Sequence, residues 1–294
     1  YRAKYILVTN GSIQALFMIF QALCNPGDEV IIPIPFWVSF VEQVKLAGGA
    51  PVFVHTQEYQ LDSDAVQQAI TPRTKAILIN SPNNPSGAVY PLKDLRSIAR
   101  LAAEHDLFIV ADEAYESFVY DKEKHISLHE IETSREQTIV TRSFSKSYGM
   151  TGFRIGYVAA TAPVIAALSR IQSHLSGNVC TFAQYGALGI PSLDDDWLMA
   201  RQAEMQRKRD IAFSYASRIF KCMKPKGAFY LFPDVSAFLK PGQSARVLAD
   251  HLLTEAGVAV VPGEAFGMPE HVRISFAVSE EHLTDGLERI TEAL

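Results

Sequence analysis

The sequence predicts an α/β protein in which a mostly parallel central sheet is flanked by helices, followed by a smaller α+β domain. Short strand-like runs alternate with helical patterns over the first two thirds of the 294 residues. Strands that alternate with helices form parallel sheets that bind ligands at the carboxyl ends of the strands. After about residue 193 the pattern changes to a long charged helix and further short apolar runs.

The elements of the first domain, expected over residues 1–193, follow from these patterns. The strands are expected in apolar runs bounded by turn-forming residues. They are Ile6–Thr9, Glu29–Pro33, Pro51–Val54, Ala76–Asn80, Leu107–Ala111, Thr138–Val140 and Ile155–Ala159. The helices are expected where apolar residues recur at helical spacing. They are Ile13–Leu23, Val38–Leu46, Ser63–Ala69, Leu92–His105 and Ala162–Leu175.

The second domain is expected over residues 194–294. A charged helix over about 194–219 follows the segment "GIPSLDDDW". The apolar segments "GAFYLF", "GVAVVPG" and "VRISFA" are expected to supply the strands of this domain. No internal repeat or low-complexity segment suggests another architecture.

Composition narrows the class of protein. A hydrophobic fraction of 48% with 10% aromatics predicts a substantial core. The 27 basic and 32 acidic residues include no long basic run, which argues against nucleic acid and membrane partners. Cys24, Cys180 and Cys222 form no Cys-x-x-Cys pair, so we expect a reducing compartment, the cytoplasm. The scattered histidines form no H-E-x-x-H motif, so no metal site is expected.

The segment "YILVTNGSIQAL" predicts a strand, a tight turn and the start of a helix. Free N–H groups and the positive end of the dipole, together with the Ser12 hydroxyl, make such a helix start a seat for phosphate. A serine N-cap after a tight turn gives the same pattern without a ligand. The segment matches neither G-x-G-x-x-G nor the P-loop motif, which argues against dinucleotide and nucleoside triphosphate binding.

Polar residues follow three of the expected strands. Asn84 lies in "AILINSPNNPSGAVY", Asp112 and Tyr115 lie in "LFIVADEAY", and Lys146 lies in "TRSFSKSYGMTGFRIGY". Each alone is also explained by a turn, a helix cap or a solvated charge. Together with the phosphate seat, however, they would meet at one edge of the sheet. A lysine, an aspartate, an asparagine and a phosphate seat in one pocket fit pyridoxal 5'-phosphate (PLP).

At these residues the sequence resembles the class I aminotransferases, the fold-type I family of PLP enzymes, over essentially its whole length. Six motifs occur in the order of that family, which leaves little room for chance. They are "NPGDEVIIPIPFW", "SPNNPSG", "ADEAY", "SFSKSYGMTGFRIGY", "GAFYLF" and "VRISFA". The resemblance implies transfer of an amino group between an α-amino acid and a 2-oxo acid, and a homodimer by analogy.

The resemblance also implies roles for the residues that would surround the cofactor ring. Lys146 would be the Schiff-base lysine, which also moves a proton between the substrate Cα and the cofactor. Asp112 would keep the pyridine nitrogen protonated. Tyr115 and Asn84 would form hydrogen bonds to the 3'-oxygen, and Trp37 would stack on the ring.

The phosphate would lie on the backbone of Gly11, Ser12 and Ile13, with a hydroxyl from Ser143 and a guanidinium from Arg154.

Substrate binding would involve Arg273, in "HVRISFA", which resembles the arginine that binds the substrate α-carboxylate in a bidentate pair, together with Trp37 and Asn84. In the family, the residue after the Gly-Ser turn faces the substrate side chain. Ile13 offers no positive charge there, so we expect aromatic or larger apolar amino acids to be preferred over aspartate.

Two alternatives remain open from the sequence. A β-eliminating PLP lyase could use the same lysine, aspartate and arginine, because the reaction depends on which Cα bond is aligned with the ring. A PLP-binding regulatory module would accompany a DNA-binding domain, and the absence of a basic extension argues against it. In complete members of the family a segment precedes the phosphate turn, and the 294 residues do not include it.

Overall fold

The computed structural model describes residues 2–193 and 195–294. A seven-stranded sheet is its main element. The strands are β1 (Ile6–Thr9), β2 (Glu29–Ile34), β3 (Ala50–His55), β4 (Thr74–Asn80), β5 (Phe108–Asp112), β6 (Thr138–Ser143) and β7 (Gly156–Ala159). Their order across the sheet is β1-β7-β6-β5-β4-β2-β3.

The direction of the strands confirms the predicted mostly parallel sheet. The neighbours from β3 through β2, β4 and β5 to β6 all pair in parallel. Only β7 runs the other way, antiparallel to both β6 and β1. Asn80 pairs with Asp112, and Asp112 pairs with Thr141, so β4, β5 and β6 end at the same edge.

Helices cover the sheet on both faces. In the first part of the chain they are α1 (Gly11–Leu23), α2 (Val38–Leu46), α3 (Ser63–Ala69), α4 (Leu92–Glu104), α5 (Phe144–Ser147), α6 (Ala162–Leu175) and α7 (Thr181–Ala187). The predicted bounds of α2, α3 and α6 are confirmed. Helix α1 begins at Gly11, two residues before its predicted start. Asn10 is therefore its N-cap, and Ser12 lies in the first turn.

Strand β4 shows why both faces are covered. Its residues Ala76 and Leu78 pack in the cluster formed with α1, α2 and α6, whereas Ile77 and Ile79 pack in the cluster formed with α3 and α4. Successive side chains of a strand point to opposite faces. A continuous apolar strand therefore requires helices on both sides of the sheet.

The C-terminal part contains a second sheet of three antiparallel strands. They are β8 (Tyr230–Leu231), β9 (Val261–Pro262) and β10 (Val272–Ser275), in the order β8-β10-β9. The accompanying helices are α8 (Asp195–Ile219), α9 (Ala245–Glu255) and α10 (Glu280–Ala293). The expected strands are present but shorter than their motifs. Asp194, the predicted first residue of this domain, lies outside the described residues.

The two sheets meet through an aromatic segment. Tyr115 and Phe118, just after β5, pack in one apolar cluster with Tyr230 of β8 and Ile274 of β10. This contact brings β10 to the edge of the large sheet where β4, β5 and β6 end. No helix within residues 2–193 and 195–294 is both long and apolar enough to span a bilayer.

Candidate active site

One cavity of about 480 Å³ lies at the carboxyl edge of the large sheet and gathers nearly all the predicted site residues. Those that line it are Ser12, Ile13, Trp37, Asn84, Asp112, Tyr115, Ser143, Lys146, Arg154 and Arg273. Gly11 does not line the cavity but lies beneath Arg154. The lining also includes residues that sequence reasoning did not propose as site residues: Asn80, Ala114, Ser145, Thr151 and Tyr230.

Two larger grooves open elsewhere on the surface, with volumes of about 790 and 930 Å³. Neither is lined by Lys146, Asp112 or Arg273. Size alone would therefore not select the cavity at the sheet edge, and its reactive side chains make that cavity the candidate active site.

The first turn of α1 and Arg154 form an anion seat. A Cβ on Gly11 would lie 2.8 Å from Arg154 Nη2, so the guanidinium packs directly against the helix start. Arg154 Nη1 donates to the Thr151 carbonyl at 3.0 Å and to Ser145 Oγ at 3.4 Å. No carboxylate in the described parts of the chain pairs with this guanidinium. Helix N–H groups beside an unpaired arginine suit a phosphate.

Lys146 is positioned by a capped turn of helix at the end of β6. Ser143, the last residue of β6, accepts a hydrogen bond from the Ser145 N–H at 3.2 Å and so caps the four-residue helix α5. The Lys146 amine lies 5.4 Å from the ring centre of Phe229 and 5.9 Å from that of Tyr115. Within residues 2–193 and 195–294 it has no hydrogen-bond or ion-pair partner.

The surroundings of Lys146 favour its neutral form. Burial lowers the pKa of the amine, and the positive charges of Arg273 and Arg154 lower it further. A neutral amine is the form that attacks an aldehyde or accepts a proton.

Asp112, the last residue of β5, is a buried carboxyl group with 4% exposure. Its Oδ1 accepts hydrogen bonds from the Ala114 N–H at 3.2 Å and from Thr141 Oγ1 at 3.4 Å. Burial raises the pKa of Asp112 to about 7, although these two hydrogen bonds lower it. No basic side chain of the described residues pairs with it. Such a carboxyl group is suited to a cationic ligand, whose charge would favour ionisation.

Asn80 connects the ends of β4 and β5. Its Nδ2 donates to the Asp112 carbonyl at 3.0 Å, and its Oδ1 accepts from the Asn84 N–H at 2.9 Å. Asn80 therefore sets the position of two predicted site residues. A polar residue at the end of a buried strand was the signal that pointed to Asp112, and the same signal could have found Asn80.

Arg273 reaches the cavity from β10 of the smaller sheet. Its Nη1 donates to Asn84 Oδ1 at 2.9 Å. Its guanidinium lies 4.5 Å from the ring centre of Tyr230 and 4.9 Å from that of Phe266. As with Arg154, no carboxylate in the described ranges neutralises it. A fixed, unpaired guanidinium of this kind suits a carboxylate ligand.

Aromatic residues complete the cavity. The hydroxyl oxygens of Tyr115 and Tyr230 are 2.8 Å apart. Burial raises the pKa of the Tyr115 phenol well above its usual range, so this phenol stays protonated. Trp37 is the N-cap residue of α2, and its ring packs edge-on against Phe40 at 5.3 Å.

The cavity therefore combines two unpaired guanidinium groups, one unpaired amine and one buried carboxyl group. This set fits a ligand with a phosphate, a carboxylate and a basic ring nitrogen. PLP together with an amino acid has those groups, so the described residues fit the cofactor predicted from the sequence.

Comparison with known proteins agrees with this chemistry. The family model "Aminotransferase class I and II" matches residues 1–290. The aspartate aminotransferase of Bacillus sp. (strain YM-2) is 44% identical over 99% of this chain and 76% of its own length. The probable aspartate/prephenate aminotransferase of Aquifex aeolicus is 43% identical over 100% of this chain and 77% of its own length.

A solved structure shares the fold. The aromatic aminotransferase from Pyrococcus horikoshii OT3 superposes with a TM-score of 0.94 at 38% identity, over 99% of this chain and 79% of that one. The Bacillus and Aquifex relatives are both named as aminotransferases, which favours an aminotransferase over the lyase and the regulatory module considered above. The chain belongs to the class I and II aminotransferases, the enzymes that transfer amino groups with the help of PLP.

Proposed function

We propose that this cavity binds PLP and transfers an amino group between an α-amino acid and a 2-oxo acid. One observation supports this above all: Lys146, whose amine has a lowered pKa, shares the cavity with Arg154 and Arg273, and none of the three pairs with a carboxylate of the described residues. An amine with a lowered pKa, in one cavity with two arginines that can bind anions, is the arrangement that this chemistry needs.

The cofactor ring would be held by residues around Asp112. Bound PLP supplies a ring that accepts the electron pair released when the substrate Cα–H bond breaks. The Asp112 carboxylate would hold the ring nitrogen protonated, and Trp37 would cover one ring face. Tyr115 and Asn84 would donate hydrogen bonds to the 3'-oxygen. Lys146 would bind the cofactor aldehyde until the substrate amine displaces it, and the freed lysine amine would then take up the proton from the substrate Cα.

The phosphate would lie on the N–H groups of Gly11, Ser12 and Ile13, with Ser143 and Arg154 as side-chain donors. The phosphate is thereby separated from Lys146. We therefore expect that removal of the lysine abolishes turnover and leaves part of the cofactor affinity.

The substrate α-carboxylate would bind Arg273. Of the basic side chains that line the cavity in the described structure, Arg154 and Arg273 would then both be engaged, and Lys146 would be used in the reaction. Ile13 offers no charge to a second carboxylate. We therefore propose an amino donor with an aromatic or larger apolar side chain, whereas the names of the Bacillus and Aquifex relatives favour aspartate as the alternative.

Borohydride reduction tests the cofactor assignment. Reduction of the PLP-loaded protein, followed by peptide mapping, should place the pyridoxyl group on Lys146. Lys146→Ala should lose the label and the activity, whereas Lys93→Ala, at an exposed position of α4, should keep both. A label on another lysine would overturn the assignment.

A panel of amino donors tests the substrate. Phenylalanine, tyrosine, leucine and methionine should give a higher kcat/KM than aspartate. A kcat/KM for aspartate far above all four would refute the proposed preference and select the alternative.

We also propose that the protein acts as a homodimer in the cytoplasm. Phe182 and Tyr185 on α7 and the adjacent Leu188 are strongly exposed apolar side chains, which a second copy could cover. The three cysteines form no disulfide, as expected in a reducing compartment. Sedimentation should show a dimer, and a monomer at micromolar concentration would contradict this proposal.

A further inference from the structure

Tyr230 connects the proposed substrate seat with the proposed cofactor seat. Its ring lies under the Arg273 guanidinium at 4.5 Å, and its hydroxyl contacts the Tyr115 hydroxyl at 2.8 Å. Tyr230 lies on β8 and Arg273 on β10, which pair in the smaller sheet. Tyr115 follows β5 of the large sheet. The contact therefore joins both sheets at the cavity.

The two phenols differ in acidity. Burial raises the pKa of both; Tyr230 and Asp112 raise the pKa of Tyr115 further, whereas the charge of Arg273 lowers it. For Tyr230, the hydrogen bond with Tyr115 and the charge of Arg273 act in the opposite direction and lower the pKa. The more acidic phenol is the better hydrogen-bond donor. The Arg273 guanidinium lies 4.5 Å from the ring centre of Tyr230, and this cation favours the Tyr230 hydroxyl as the donor to the Tyr115 oxygen, 2.8 Å away.

The direction of donation decides whether Tyr115 can donate its own hydrogen into the cavity. A phenol has one hydrogen to donate. If the Tyr115 oxygen accepts from Tyr230, its own hydrogen stays free to point into the cavity. Acceptance of one hydrogen bond also strengthens a hydroxyl as the donor of another.

We propose that Tyr230 is a positioning residue with two separable roles. Its hydroxyl orients Tyr115 as a donor to the cofactor 3'-oxygen, and its ring holds Arg273 in place for the substrate carboxylate. The inference rests on the proposed function and adds to it a residue that the sequence did not identify as part of the site.

Two variants separate the roles. Tyr230→Phe removes the hydroxyl and keeps the ring, whereas Tyr230→Leu removes both. Lys146, Asp112, Arg154 and Arg273, the charged groups that line the cavity, are unchanged in both variants.

The first measurement is the pH titration of the absorbance band of the lysine-bound cofactor. Without the Tyr230 hydroxyl, Tyr115 should donate a weaker hydrogen bond to the 3'-oxygen of the cofactor and stabilise the anionic form of that oxygen less. In Tyr230→Phe the midpoint should therefore rise by about half to one pH unit. Tyr230→Leu should show the same rise.

The second measurement is the Kd of carboxylates that lack an amino group, 3-phenylpropanoate and succinate, whichever the wild-type protein binds. Tyr230→Phe should retain the wild-type Kd. Tyr230→Leu should bind about three- to thirty-fold more weakly, because Arg273 loses an aromatic face.

Tyr120→Phe is the matched control. Like Tyr230, Tyr120 is a buried tyrosine whose ring lies under an arginine, with 4.9 Å between the Arg209 guanidinium and the ring centre. Its hydroxyl donates a hydrogen bond to the Ala228 carbonyl. It does not line the cavity. Its variant should leave the titration and both Kd values unchanged.

The outcomes separate this inference from the function on which it rests. If the wild-type protein carries no pyridoxyl group on Lys146 after reduction, the proposed function fails and the inference fails with it. If the wild-type protein is labelled but Tyr230→Phe titrates as the wild type does, the hydroxyl role is overturned alone. A Tyr230→Leu variant with the wild-type carboxylate Kd would overturn the ring role.

Discussion

The cofactor-free protein should become more stable at neutral pH when Asp112 is replaced by asparagine. The Asp112 carboxyl group is buried, and no basic side chain in the described part of the chain pairs with it, so the folded protein disfavours its charged form. An amide has nearly the same shape. Its oxygen can accept the hydrogen bonds from the Ala114 N–H and Thr141 Oγ1 that Asp112 Oδ1 now accepts.

The magnitude follows from the pKa of Asp112, which burial raises from 3.8 to about 7. Because the folded pKa is above the unfolded one, the unfolded chain loses its proton first, and the wild-type protein loses stability as pH rises from about 4 to about 7. Above pH 7, the full difference between the folded and unfolded pKa of Asp112 lowers the free energy of unfolding by about 4 kcal/mol. Asp112→Asn lacks this titration and should keep the stability that the wild type loses.

Urea unfolding of the cofactor-free proteins at pH 4 and pH 8 tests this reasoning. The free energies of unfolding should be similar at pH 4, and the variant should be the more stable protein at pH 8. With PLP bound, the same variant should lose about 3–6 kcal/mol of transition-state stabilisation, because no charge holds the ring nitrogen protonated. A variant that is equally or less stable at pH 8 would refute the electrostatic argument, and near wild-type turnover would refute the role of Asp112 toward the ring.

Three further predictions concern other residues. Gly11→Ala should weaken PLP binding about ten-fold or more in equilibrium dialysis, because Gly11 has a φ of +77° and the new Cβ would lie 2.8 Å from Arg154 Nη2. Unchanged binding would contradict the proposed phosphate seat. Arg142→Met should cost about 3–5 kcal/mol in urea unfolding at pH 7, because it leaves the buried Glu113 without its arginine. The cost should shrink at pH 4, because Glu113 takes up a proton more readily once the arginine that helps to lower its pKa is gone; an equal cost at both pH values would argue against the ion pair. Arg273→Lys should raise KM for the amino donor about ten- to a hundred-fold with little change in PLP affinity, since lysine cannot form the bidentate pair; an unchanged KM would count against the carboxylate seat.

The sequence by itself determined the α/β class and most of the large sheet. Residues 30–34 in β2, 76–79 in β4 and 108–111 in β5 are apolar, which indicates burial on both faces and hence covering helices. Polar residues at the ends of such strands, such as Asp112, had to meet at one edge, because parallel strands in register end together. The motifs that carried the family resemblance lie at that edge as well.

Only the tertiary structure decided which distant residues contact one another in the site. Tyr230 and Tyr115 are 115 positions apart, and Arg273 and Asn84 are 189 apart, yet each pair is in hydrogen-bond contact. Local sequence patterns predict secondary structure and the faces of helices and strands that must be buried. They do not predict how one sheet packs against another. Local patterns likewise do not predict the raised pKa of Asp112, because that pKa depends on burial by side chains from the whole fold. The sequence therefore predicted the groups that can react, and the packing of the two sheets decided their partners and their charge.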